Sequence, residues 1–158
     1  MKTYKAPWSW SLILVSGGIT LIAIGATIYL VRHDYSLAAL VPCAIVLGAL
    51  VFTIRGYTVT PDAILVHRLF WSTRLPLASL ESAEVAPEVM QRSIRLWGNG
   101  GLFSFAGWFR NKGLGIYRAY ATDLHRTVVL RYPSRPVVLS PAMPDNFVSE
   151  IRNQRQTA

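Results

Sequence analysis

Two long runs without charge near the N-terminus most constrain what this 158-residue chain can fold into. Residues 12–31 are twenty consecutive residues with no charged side chain, and residues 36–54 form a second uncharged run. Because an α-helix rises about 1.5 Å per residue, twenty residues cover roughly the 30 Å of bilayer hydrocarbon. The charged break at residues 32–35 is too short to fold alone. The pattern therefore predicts a two-span α-helical transmembrane hairpin over residues 1–55.

The lysine and arginine residues around these runs predict the orientation of the hairpin. Lys2 and Lys5 precede the first run and Arg55 and Arg68 follow the second, whereas the connecting turn carries only Arg32. Cytoplasmic flanks of membrane spans carry an excess of basic residues. We therefore expect both termini, and the remainder of the chain, on the cytoplasmic side.

A secretory signal peptide is the alternative interpretation of the first run. Lys2 and Lys5 precede an apolar core, and residues 23–25 resemble a weak cleavage site. Cleavage would leave the second run as a stop-transfer helix with its C-terminal side in the cytoplasm. The expected location of the downstream chain is therefore the same under either interpretation.

Most of the positive charge lies downstream of the hairpin. From Arg55 onward there are thirteen Lys and Arg residues against seven Asp and Glu, so this part carries +6 of the net charge of +8. A basic domain beside a bilayer is attracted to anionic headgroups, by about 1 kcal/mol per nearby basic residue. A basic domain of this size is also compatible with nucleic-acid binding. The predicted anchor favours the lipid surface and makes nucleic acid the weaker alternative.

Beyond residue 55 the pattern changes to short alternating segments bounded by turn residues, which predicts a mostly-β domain over residues 56–158. In the second of these segments, Ile64, Val66 and Arg68 fall on one face. A glycine-containing turn at residues 111–113 predicts a hairpin, and residues 87–95 are expected to be a connection. Strands, about seven and antiparallel, are expected among residues 57–60, 63–70, 71–77, 80–85, 102–110, 115–122, 127–132 and 137–139.

The end of the chain has a helical pattern instead. Pro144 and Asp145 suit the first turn of a helix, and Phe147, Val148 and Ile151 form an apolar stripe at helical spacing. This predicts a C-terminal α-helix that covers one open end of the sheet.

Five short segments between residues 98 and 147 are distinctive. They are GNGGLF (98–103), GWFRNK (107–112), GIYRAYATD (115–123), VLSP (138–141) and PDNF (144–147). Together with the two apolar runs, the strands and the final helix, they resemble the bacterial pleckstrin-homology-like (PH-like) membrane proteins. The resemblance implies a partly open barrel of seven strands in two nearly orthogonal sheets, on a multi-pass protein of the bacterial inner membrane. It implies little about chemistry, because a fold does not fix a function.

One departure from eukaryotic PH domains matters for lipid recognition. Phosphoinositide-binding PH domains cluster Lys and Arg in the loop between their first two strands. The corresponding loop here, residues 60–62, is short and contains no basic residue. Inositol-phosphate recognition of that type is therefore not expected.

The glycine-rich stretch from residue 98 to residue 115 matches neither nucleotide-binding template, because no Walker sequence follows and Gly98-x-Gly100 lacks a glycine three places on. Tight turns and close backbone crossings explain these glycines.

Aromatic and basic side chains cluster around the same predicted hairpin. Such a combination can settle into a headgroup layer or bind an acidic peptide. The alternative is that the aromatic rings are core and the charges form a solvated edge. The candidate partner- or headgroup-binding residues are Trp97, Trp108, Phe109, Arg110, Lys112, Arg92 and Arg95.

Little in the sequence supports catalysis. His33, His67 and His125 have no metal-ligand spacing, and the lone Cys43 lies in the second apolar run. Asp123, two residues before His125, fits turn chemistry better than an acid–base pair. We therefore expect no enzyme activity, no catalytic residue, no metal and no cofactor.

The sequence as a whole predicts a non-catalytic, membrane-tethered PH-like module. It would dock a protein partner or anionic lipid headgroups at the cytoplasmic face of the membrane. A structural subunit of a membrane complex is the first alternative, and a nucleic-acid-binding domain is the second. The oligomeric state is left open.

Overall fold

The computed structural model describes residues 2–157, which form ten β-strands and three α-helices. In chain order the elements are β1 (Lys2–Lys5), α1 (Trp10–Arg32), α2 (Leu40–Val51), β2 (Gly56–Val59), β3 (Ala63–His67), β4 (Ser72–Pro76), β5 (Ser82–Val85), β6 (Ile94–Gly100), β7 (Phe105–Asn111), β8 (Gly115–Ala121), β9 (Val128–Arg131), β10 (Val137–Leu139) and α3 (Pro144–Thr157).

The strands form two sheets. The first has the order β1-β2-β3-β4, and the second has the order β5-β9-β10-β8-β7-β6. Every neighbouring pair is antiparallel except β10 with β8, which is parallel. A mostly-β domain with a C-terminal helix is therefore confirmed. The expectation of about seven strands, all antiparallel, is wrong, because β1 and β6 were not recognised and one pair runs parallel.

The first strand comes from the residues that precede the first apolar run. Lys2 to Lys5 pair with Val59 to Gly56 of β2, so the two ends of the apolar region meet in one sheet. Tyr4 is 2% exposed, its ring lies edge-on to Phe147 at 5.1 Å, and its hydroxyl donates to the Asn146 carbonyl at 3.1 Å. Residues 2–5 are thus part of the β domain in the structure, although the division of the chain at residue 55 stays a prediction.

The two apolar runs form helices of unequal length. The 23 residues of α1 have a mean hydropathy of 2.1, and among the described residues α1 alone is long and apolar enough to cross a bilayer. The 12 residues of α2 cover about 18 Å, short of the roughly 30 Å needed. Two full-length helical spans are therefore not found. Residues 36–39 are turns rather than helix, and the helix stops at Val51, so the second run loses length at both ends.

The main core lies between the two sheets and α3. The predicted stripe of Phe147, Val148 and Ile151 is buried there, which confirms the C-terminal helix, and α3 contacts β2 and β5. A second apolar cluster, containing Met90, covers the other face of the second sheet. Both faces of that sheet are therefore protected from water over much of their area.

A single tyrosine hydroxyl joins the two sheets. Tyr57 of β2 is fully buried, its hydroxyl donates to the Tyr120 carbonyl of β8 at 2.6 Å, and it accepts from the Ser140 amide at 3.2 Å. Burial raises the pKa of Tyr57 to about 12, against the opposing effect of its Ser140 hydrogen bonds. Burial likewise raises the pKa of Tyr132 to about 12.

Alkaline pH is expected to destabilise the domain through these tyrosines. Below pH 10 they are protonated in both folded and unfolded states, and above it the unfolded chain ionises first. Stability should therefore fall as pH rises from 10 to 12, by about 3 kcal/mol for Tyr57. Thermal unfolding of the full chain in detergent, followed by circular dichroism across this range, measures the slope.

The variant Tyr57→Phe should flatten that pH dependence. At neutral pH the free energy of unfolding of this variant should be lower by about 1–3 kcal/mol, because the Ser140 amide and the Tyr120 carbonyl lose their hydrogen-bond partner. Tyr35→Phe, at an exposed position, is the matched control and should change neither the pH dependence of stability nor the free energy of unfolding at neutral pH. A slope unchanged by Tyr57→Phe would contradict the assignment.

Candidate functional site

The glycine-rich stretch brings two strands unusually close together. Gly98 of β6 and Gly107 of β7 are partners across the pair, with φ angles of 103° and 153°. A Cβ at Gly107 would lie 2.1 Å from the Trp97 carbonyl oxygen, and one at Gly98 would lie 2.4 Å from that of Ala106. Only glycine fits either position without backbone movement. The prediction that these glycines permit a close backbone crossing is confirmed.

A β-bulge in β6 interrupts the register beside that crossing. Arg95 pairs with Phe109 and Trp97 pairs with Trp108, so Leu96 has no partner. Bulges redirect side chains and twist a strand. Here two tryptophans lie directly opposite each other in the middle of the β6–β7 pair, between the bulge and the glycine crossing.

The loop after β6 holds the beginning of α1. The buried Ser16 hydroxyl accepts from the Phe103 amide at 2.8 Å and donates to the Gly101 carbonyl at 3.4 Å. Leu12, one turn earlier, is 1% exposed. Ser9 caps the helix by accepting from the Leu12 amide at 3.3 Å, and its own amide donates to the Thr122 carbonyl at 3.1 Å. The helix therefore starts as a packed part of the β domain.

A groove of about 980 Å³, here called the hairpin groove, lies between the two N-terminal helices and the second sheet. One wall is apolar and comes from the helices, and the other comes from the β6–β7 pair. The helical wall consists of Val15, Ile19, Ile45, Gly48, Ala49 and Phe52, and the remaining lining includes Arg68, Arg95, Trp97, Trp108, Arg118 and Tyr120.

Arg68 is the most unusual residue of the hairpin groove. It is 8% exposed, follows β3, and its Nε has no hydrogen-bond partner. Its guanidinium lies over the rings of Phe52, Trp71 and Tyr120, at 5.7, 5.4 and 5.0 Å from their centroids. Burial lowers the pKa of Arg68, although an arginine keeps its proton at physiological pH. A buried cation is thus supported by aromatic rings.

Arg118 is a second arginine that contacts the ring of Tyr120. The Arg118 guanidinium lies 5.1 Å from the Tyr120 centroid and 5.4 Å from that of Trp108. Arg135 lies on Trp108 at 5.1 Å, so this tryptophan contacts two cations. No Asp or Glu lines the hairpin groove within residues 2–157, and none of the ion pairs found there includes Arg68, Arg95 or Arg118. The groove therefore has an excess of positive charge.

The structure divides the predicted binding residues into three groups. Arg95, Trp97 and Trp108 line the hairpin groove. Phe109 is 4% exposed and stacks on Tyr117 at 6.0 Å, so it is a core residue and is not at the hairpin tip as expected. The exposed Arg92, Arg110 and Lys112 are not part of the groove lining. Whether any of these residues binds a partner stays a prediction.

Sequence reasoning missed Arg68, Arg118 and Tyr120 as parts of one site. The alternation in β3 did place Arg68 on the same face as the buried Ile64 and Val66, which was the available signal. The meeting of Arg68 with Arg118 on one ring depends on how the two sheets pack, and no local pattern reports that.

Asp123 and His125 lie in the connection between β8 and β9. The Asp123 carboxylate accepts from the His125 amide at 2.9 Å, which confirms the predicted turn. The His125 ring instead contacts Glu88 at 3.0 Å on the surface. No group of three or more His, Cys, Asp or Glu side chains that could hold a metal ion occurs among residues 2–157.

Comparison with known proteins gives one family. The model of the bacterial PH domain family matches residues 55–155, about two thirds of the chain. Domains of the PH type are generally non-catalytic binding modules, and no enzyme family was found. No match was found among curated proteins, and none among solved structures.

Substitution at the glycine crossing should destabilise the wall of the groove. Gly107→Ala is expected to cost about 1–3 kcal/mol, because the new methyl group overlaps the Trp97 carbonyl. Gly113→Ala is the matched control, since its Cβ would make only a 3.8 Å contact with the Asn111 side chain. Thermal unfolding of both variants tests this, and equal losses would contradict the close crossing.

The attachment of α1 to the domain should depend on the Ser16 hydroxyl. Ser16→Ala leaves the buried Phe103 amide without an acceptor, at a cost of about 1–3 kcal/mol. Hydrogen exchange at that amide should then be about tenfold faster or more. The exposed Ser36→Ala serves as control, and an unchanged exchange rate at Phe103 in Ser16→Ala would refute the contact.

Proposed function

Because this chain belongs to the bacterial PH domain family, we propose that it is a non-catalytic binding module anchored in the bacterial inner membrane. It docks anionic lipid headgroups or a protein partner at the cytoplasmic face. One observation carries the proposal: an arginine-bearing surface of the β domain opens directly beside two apolar helices.

The pairing of β1 with β2 supports an anchor that returns to the side from which it left. Lys2–Lys5 and Gly56–Val59 lie in one sheet, so a membrane anchor formed by the intervening chain would have to cross the bilayer an even number of times. The 23-residue α1 is long enough for the outward crossing. The return crossing uses α2 together with the turns at residues 36–39 and the three residues 52–54. The excess of Lys and Arg at the domain side favours the cytoplasm.

Exposed aromatic side chains at the junction of helix and domain support contact with the headgroup layer. Trp10 at the start of α1 is 72% exposed, and Trp97 in the groove is 78% exposed. Trp71 contacts Phe52, the residue after α2, at 5.5 Å between ring centroids. Tryptophan is enriched at the interface between hydrocarbon and water. These rings are arranged as expected for a domain that rests on the bilayer surface.

The free edge of the second sheet supports a protein partner as the second docking mode. β6 is an edge strand, and its Ile94 and Leu96 are exposed together with Trp97. An apolar edge of this kind accepts an added strand from another chain. The same observation fits the alternative of a structural subunit in a membrane complex.

Membrane anchoring is tested by extraction and protease access. The full chain should stay in the membrane pellet after alkaline carbonate, and its C-terminus should be cleaved only in inside-out vesicles. Ile22→Arg, in the exposed middle of α1, should make the free energy of membrane insertion less favourable by about 2.5–3.5 kcal/mol. Gln91→Arg on the domain should leave this free energy unchanged. Extraction of the unaltered protein by carbonate, or cleavage of its C-terminus from outside intact cells, would overturn the proposal.

A second measurement separates the docking function from the nucleic-acid alternative. The full chain in detergent is mixed with duplex DNA at increasing salt. Binding that weakens steeply with salt would favour the nucleic-acid interpretation, and no binding is the result expected here.

A further inference from the structure

We infer that the hairpin groove holds one anionic phospholipid of the surrounding bilayer, with its phosphate against Arg68 and Arg118 and an acyl chain along α1 and α2. The inference rests on the proposed membrane anchoring, and it names the ligand and the residues that recognise it.

The positive charge of the groove points to an anionic ligand. Arg68 is only 8% exposed, and its Nε has no hydrogen-bond partner in the described structure. The exposed Arg118 shares the Tyr120 ring with it, since the two guanidinium groups lie 5.1 and 5.0 Å from the ring centroid. Neither cation has a counter-ion in the groove, because no carboxylate lines it. A buried charge such as that of Arg68 is normally paired, and a guanidinium fork can bind a phosphate with two hydrogen bonds.

The helical wall of the groove suits an alkyl chain. This wall includes Val15, Ile19, Ile45 and Ala49, all apolar. A Cβ added at Gly48 of the same wall would meet no atom within 4 Å, so there is room beside the helices. A free phosphate would bind the arginines but would leave the apolar wall exposed. An alkyl chain joined to the phosphate covers both parts.

The groove extends along the helix away from the β domain. The first turns of α1 are packed on the domain through Leu12 and Ser16, and the groove is lined by Val15 of the same turns and by Ile19 of the next. Arginines at the domain side and apolar residues further along the helix follow the order of a phospholipid, headgroup first and chain second. An apolar helix from a partner would fill the wall but leave Arg68 and Arg118 unpaired.

Lipid retention tests the inference. The full chain is extracted from membranes containing phosphatidylglycerol into mild detergent, and bound lipid is counted by native mass spectrometry. One phosphatidylglycerol per chain is expected. Arg118→Gln should lower the occupancy about tenfold, in line with loss of one charged hydrogen-bond partner. Arg152→Gln, an exposed arginine of α3 outside the groove, is the matched control and should retain the lipid.

A second variant tests the acyl-chain wall without touching the charges. Gly48→Leu places a side chain in the groove from a position where an added Cβ meets no atom within 4 Å, so the fold is expected to persist. It should lower phosphatidylglycerol occupancy as strongly as Arg118→Gln. Inorganic phosphate alone, added to delipidated protein, should not raise the unfolding temperature as phosphatidylglycerol does.

Four results would overturn the inference. The first is that the unaltered chain carries no phospholipid, and the second is that Arg118→Gln and Gly48→Leu retain as much phospholipid as the control variant. The third is that inorganic phosphate raises the unfolding temperature as much as phosphatidylglycerol does. A partner protein released by Gly48→Leu in place of lipid would also overturn it. Carbonate extraction of the same membranes reports on anchoring separately, so failure of the groove and failure of the anchor are distinguished.

Discussion

The pairing of the first strand with the second is the constraint on which the rest of the structure depends. It connects residues separated by the whole apolar region, and it buries Tyr4 against the C-terminal helix. Because the two ends of the apolar region are held in one sheet, the two helices must leave and return together. The same pairing brings the end of α2, with Phe52, to the face of the domain where Arg68 lies. The hairpin groove exists because these elements are joined at one place.

Much of the fold could be predicted from local patterns. Alternation and turn residues gave β2 to β5 and β7 to β10 to within a few residues, and the helical stripe gave α3. β1 was missed because its two lysines suggested the flank of a membrane span, and because one buried tyrosine is a weak strand pattern. β6 was missed because glycine and asparagine occupy its second half, and such residues are rare in strands. The length of α2 was overestimated, because absence of charge does not distinguish helix from apolar turns.

The candidate site was predicted less well than the fold. Sequence proximity grouped Arg92, Arg95, Arg110 and Lys112 around one hairpin, but of these four residues only Arg95 lines the groove. The groove instead combines residues from β3, β6, β7 and β8 with the helices. Its most constrained member, Arg68, was recognisable as inward-facing, yet a local pattern cannot show whether an inward arginine meets a carboxylate, a ring or empty space. Packing between sheets decides that.

The close attachment of α1 to the β domain has a mechanical consequence. Ser9 and Ser16 attach the start of α1 to the loops of the second sheet through hydrogen bonds. The Ala6 amide also donates to the Arg55 carbonyl, which follows α2. Helices respond to a bilayer thinner than their apolar length by tilting. With both connections fixed, the β domain would tilt together with the proposed membrane anchor, so a change in bilayer thickness would change the angle at which the domain meets the membrane.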